Sequence, residues 1–61
     1  MIHKFMIVYA NDKTGKMHYS HYIAAEGTSL LTAWSEAAAA AMTVINNDND
    51  WYVQSIVYTA R

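Results

Sequence analysis

The chain has 61 residues, 54% of them apolar and only 15% charged, with a net charge of −1 and neither cysteine nor proline. This length makes one small domain, residues 1–61, and a chain so short buries only about 60% of the surface its unfolded form exposes. The composition excludes disulfides and thiolate metal sites, and the scattered cations Lys4, Lys13, Lys16 and Arg61 exclude strong long-range attraction to polyanions.

The first run, "IHKFMIVYA" (2–10), is rich in β-branched and aromatic residues and ends at Asn11-Asp12, which predicts a strand bounded by a turn. "DKTGK" (12–16) fits a three-residue hairpin loop in which Gly15 takes positive φ. The second strand is then "MHYSHYIAA" (17–25). Such a loop sets Asp12 opposite Lys16, Tyr9 opposite Tyr19 and Phe5 opposite Ile23. One face would carry Phe5, Ile7, Tyr9, Met17, Tyr19 and Ile23, and the other Lys4, Met6, Val8, His18, Ser20 and Tyr22. A slip of one residue would reverse the faces of one strand.

In "EGTS" (26–29), Gly27 breaks the strand and Thr28 or Ser29 caps a helix. The helix is expected to run to about Ile45. At 100° per residue, Leu30, Trp34, Ala37, Ala38, Ala41 and Ile45 form one stripe, flanked by Leu31 and Met42 on one side and Ala33 and Val44 on the other. Asn46 or Asn47, in the left-handed region, would end it. The five-alanine run is accounted for by helix propensity alone. A second reading is that Ala37, Ala38 and Ala41 allow close approach to a sheet while Ala39 and Ala40 leave the outer side free. The last element, "WYVQSIVYTA" (51–60), is a third strand with Trp51, Val53 and Val57 on one side and Tyr52, Ile56 and Tyr58 on the other. The expected fold is α+β: a ββαβ chain making a three-stranded antiparallel sheet in the order 2-1-3, with one helix packed on one face.

Chemistry is sparse. His18 and His21 lie three apart, so a regular strand points them to opposite faces, and they do not chelate one ion. The expectation is that His21 packs in or near the core while His3 and His18 are solvated. "NNDND" (46–50) lacks the glycine and distal glutamate of a calcium loop and reads as a polar connection. Ser20, Ser29, Ser35 and Ser55 have no nucleophile-elbow context, and two glycines do not make a phosphate cradle. No enzyme activity, metal, cofactor or small-molecule substrate is expected. Tyrosines on an open sheet are compatible with base stacking, so a weak single-stranded nucleic-acid binder is a further alternative, but the cations supply little phosphate affinity. "FMIVYA" (5–10) is too short for a signal-peptide core, and no run approaches the roughly 20 apolar residues that span a bilayer. A cytoplasmic protein without membrane attachment is expected.

What remains is surplus apolar surface. Glu36 is the only formal charge from Gly27 through Asn47, whereas a fully wet helix normally carries several. The sheet face away from the helix should be polar, yet it would present Met6, Val8 and Tyr22 with one or other apolar set of the third strand. Such patches mark interfaces, where Tyr and Trp dominate binding energy. The partner-binding candidates are therefore Met6, Val8, Tyr22, Trp51, Tyr52 and Tyr58, with Glu36, Asp48 and Asp50 offering charge to a basic partner.

In size and layout the chain resembles the small single-domain proteins that phages encode to bind and disable host machinery, anti-defence inhibitors among them. That resemblance rests on economy of form and carries no site residue. It implies inhibition by occupying a surface of a larger host protein complex, in the host cytoplasm. The expected function is a homodimeric protein-interaction module, with a structural or accessory subunit of a larger assembly as the alternative.

Overall fold

The computed structural model describes residues 1–46 and 48–59. Its elements are β1 (Lys4–Asn11), β2 (Met17–Ile23), α1 (Leu30–Val44) and β3 (Trp51–Tyr58). The strands form one sheet in the order β2-β1-β3, with β1 antiparallel to both neighbours. The expected ββαβ arrangement and strand order are those observed. Of the residues assigned above, Asn47, Ala60 and Arg61 lie outside the described set.

The hairpin differs from expectation by one residue. Asn11 folds its side chain over the loop, where Oδ1 accepts the amides of Lys13 and Thr14, both at 2.9 Å. The Gly15 amide donates to the Asn11 carbonyl at 2.9 Å, and the Asn11 amide donates to the Lys16 carbonyl at 2.8 Å. The loop proper is therefore Asp12 to Gly15, closed by Asn11 and Lys16 rather than by Asp12 and Lys16. Gly15 does take positive φ, 76°, where a Cβ would be strained. The register becomes Phe5 opposite Tyr22, Ile7 opposite Ser20 and Tyr9 opposite His18. Because side chains alternate with period two, this slip reverses all of β2. Tyr22, Ser20 and His18 join Phe5, Ile7 and Tyr9 on the helix side, while Met17, Tyr19 and Ile23 turn to the open side.

A second irregularity lies in β3. The pairing with β1 shifts between Val8 and Tyr9, so that Ser55 faces Val8, Val53 faces Tyr9, and Gln54 is left unpaired as a bulge. The bulge corrects the expected alternation. Trp51, Val53 and Ile56 pack toward the helix, Tyr58 stacks near Phe5 on the same side, and Val57 rather than Ile56 shares the open face with Tyr52.

Ser29 caps α1 by accepting the Thr32 amide at 3.2 Å. No described residue other than glycine has positive φ, so Asn46 does not end the helix in the left-handed region. The chain leaves instead through tight turns, Asn46 N–H to the Thr43 carbonyl and Asp48 N–H to the Ile45 carbonyl. The helix meets the sheet along Ala33, Ala37 and Ala41, each buried. This row lies to one side of the expected stripe: Ala37 stands at its centre, Ala33, expected only on a flank, is buried, and Ala38 is exposed. The reason is volume. The central strand fills the interior with Phe5, Ile7 and Tyr9, each at most 1% exposed, and a helix can close over such side chains only by presenting methyl groups.

Candidate interaction surfaces

Three surfaces follow from this geometry. The open sheet face is the first. The register brings Met6 beside His21 and Val57, Val8 beside Tyr19 and Ser55, and Ala10 beside Met17 and Tyr52. Val8 is itself covered by its neighbours, but Ile23 is 60% exposed, Tyr19 56% and Tyr52 46%. Lys4 is the only formal charge contributed by the strands to this face. An antiparallel sheet facing water normally alternates apolar with polar, and this face does not.

The second surface is a groove of about 440 Å³ on the helix side, lined by Leu30, Leu31, Trp34 and Tyr58. It forms because the first helical turn overhangs the end of β3. The Tyr58 ring lies 5.4 Å from Phe5 and 6.5 Å from Trp34. Its hydroxyl is held at 2.7 Å from Nδ1 of His3. His3 is buried and His18 and His21 are exposed, which corrects the expectation that His21 would be the histidine packed in or near the core. The register explains it: the slip turns His21 outward, and His3 sits where β1 enters beneath Tyr58. Leu31, 79% exposed, forms the outer lip.

The third is a cleft of about 330 Å³ at the opposite end of the sheet, with Trp51, Tyr9, Met17, His18, Lys16 and Asp48 in its walls. The His18 ring stacks obliquely on Tyr9, centroids 5.7 Å apart, and the Tyr9 hydroxyl pairs with Ser20 Oγ at 3.0 Å. No buried side-chain polar atom among the described residues lacks a partner. Nor do three histidine or carboxylate groups converge anywhere among them to hold a metal. No helix among the described residues is long and apolar enough to cross a membrane.

The candidates from the sequence are thus distributed rather than gathered. Met6, Val8 and Tyr52 lie on the open face. Tyr22, expected beside them, is on the helix side, where its hydroxyl donates to Glu36 Oε1 at 3.0 Å. Trp51 and Asp48 belong to the end cleft, and Tyr58 to the groove. Asp50 is tied into its loop, its amide donating to Asp48 Oδ1 and its carbonyl accepting from Asp12. Residues missed from the sequence are Met17, Tyr19 and Ile23 on the open face and Leu30, Leu31 and Trp34 at the groove. The signal for the first set was Asn11, a residue type that folds over the two amides following it.

The Tyr22–Glu36 contact has a pH signature. Donation to the Glu36 carboxylate, then desolvation, then repulsion by the same charge raise the Tyr22 pKa above the ordinary tyrosine value. A raised value means stabilisation that is complete below the unfolded pKa and lost as pH rises through the folded one. Tyr22→Phe is therefore expected to flatten the alkaline limb of the urea stability profile above about pH 10. An unchanged limb assigns the titration elsewhere.

Comparison of the chain with protein-family models, with curated proteins and with solved structures yields no match in any of the three.

Proposed function

We propose that this chain is a homodimeric protein-interaction module that acts by occupying a surface of a larger protein, in the manner of small phage inhibitors of host complexes. One observation carries this reading: two apolar surfaces, the open sheet face and the Leu30–Trp34–Tyr58 groove, lie on opposite sides of one thin sheet. A single patch is ordinary on a small protein, but two divergent patches suit a module with more than one contact to make, with a second copy of itself and with a target. The helix supports this with no charge but Glu36 along its length, so little opposes desolvation of its outer side.

Sedimentation equilibrium at micromolar concentration is expected to give twice the chain mass, and a well-folded monomer there removes the reading. Leu31→Asp is expected to leave that dimer intact while releasing a captured target protein, because the lip of the groove lies away from the open face. Loss of the dimer in Leu31→Asp instead assigns the groove to self-association.

A further inference from the structure

Building on the proposed self-association, we infer that the contact between copies is made edge to edge by β2, joining two sheets into one of order β3-β1-β2-β2-β1-β3 about a twofold axis at Ser20. The sheet has two free edges, and their backbones differ. In an antiparallel pair the residues exchanging hydrogen bonds alternate with those that do not. Asn11 bonds Lys16 at one end of the hairpin and Ala24 bonds His3 at the other. The even-numbered residues of β2 are therefore committed to β1. The amides and carbonyls of Met17, Tyr19, His21 and Ile23 point outward in an unbroken series.

On β3 the same reasoning starts from Thr59 bonded to Lys4 and Asp12 bonded to Asp50. The outward residues are Tyr58 and Ile56, then, beyond the bulge at Gln54, Val53 and Trp51. Their phase breaks in the middle, so no straight strand can pair along the whole edge. Bulges, lysines and prolines are the usual protections of a free edge. β3 has one of them, whereas β2, "MHYSHYI", has none.

The β2 edge is also its own complement. With Ser20 on the axis, Met17 falls opposite Ile23 of the second copy and Tyr19 opposite its His21. All four are outward residues, so every free backbone group of the strand finds a partner. Shifting the axis to Tyr19 or His21 leaves one end unpaired. Opposed residues share a face, so Met17 meets Ile23 and Tyr19 meets His21 on the open side. No like charges oppose one another, since β2 has no Lys, Arg, Asp or Glu. The two open faces become continuous, and both Leu30–Trp34–Tyr58 grooves stay free.

The axis gives a direct test, because the chain contains no cysteine. Ser20 facing its own copy is a non-hydrogen-bonded pair, with Cα atoms about 4.5 Å apart, within disulfide reach. Oxidised Ser20→Cys protein is expected to become a covalent dimer nearly completely, while Ser55→Cys, on the open face of β3, is expected to stay as single chains without an intermolecular disulfide. Tyr19→Pro removes an outward amide and no bond within the sheet, and is expected to sediment as a folded monomer. If that variant does not fold, the disulfide result decides. A wild-type monomer overturns the proposed function and this inference together. A wild-type dimer that resists cross-linking through Ser20→Cys, or one that survives in folded Tyr19→Pro, overturns the β2 edge alone and leaves the open face as the contact.

Discussion

Phe5→Ala is expected to be severely destabilising, unfolding the protein where the parent's stability lies in the lower half of its range. Phe5 is fully buried and sits between Ala33 and Ala37 of the helix, Ala24 after β2, and Tyr22 and Ile56 on the flanking strands. Its ring also lies 4.9 Å from Trp34 and 5.4 Å from Tyr58. Truncation of such a side chain costs about 3–5 kcal/mol, from lost transfer energy and from the cavity left behind. A chain of this length has a total stability of roughly 3–9 kcal/mol at the usual value per residue. The alanine methyl groups facing Phe5 cannot move in to fill the space, because the helix that carries them is held by the rest of the row. Circular dichroism and urea titration of the variant should show a midpoint lowered by the equivalent of about 3–5 kcal/mol, with no folded baseline where the parent's stability is no larger than that. A loss smaller than about 1.5 kcal/mol, the range of a volume-conserving swap, contradicts the burial described here.

The second large effect is the converse, overfilling. Ala37→Leu adds an isobutyl group where the helix touches Phe5 and is expected to cost about 1–3 kcal/mol. Ala38→Leu, one position along and exposed, should stay within about 0.5 kcal/mol of the parent. Both substitutions place a good helix former in a helix, so propensity hardly distinguishes them and the difference reports packing. Hydrogen exchange adds a second readout. In Ala37→Leu the amides of α1 should lose protection more than those of β1, because the row Ala33, Ala37 and Ala41 supplies the buried contacts between helix and sheet. Equal effects at Ala37 and Ala38 contradict the orientation of the helix.

The same alanines show where reading the sequence stops. Periodicity places an amphipathic helix between Ser29 and Ile45, but with five alanines in succession the hydrophobic stripe is nearly flat in angle. Alanine is tolerated buried or exposed, so the run does not state which methyl groups face inward. The large residues of β1 make that choice. The partner candidates scattered for a related reason. A loop closed by Asp12 puts Tyr22 on the open face and one closed by Asn11 puts it on the helix side, so its place depends on the hairpin register. That is a difference of one side-chain amide accepting two backbone N–H groups.

Legible in the order of residues alone are the elements and their succession, the antiparallel sheet with β1 at its centre, a helix cap at Thr28 or Ser29, and the glycine that turns the hairpin. These are set by neighbours in the chain: period-two and period-3.6 patterns, punctuation by Gly, Asn and Ser, and the handedness of a short crossover. Which faces turn inward is settled in the folded chain, because register and bulge position come from competition between strands for the same backbone hydrogen bonds and the same interior volume. A side chain's identity records what it can bury, whereas the face it occupies depends on a one-residue phase that only the assembled sheet fixes.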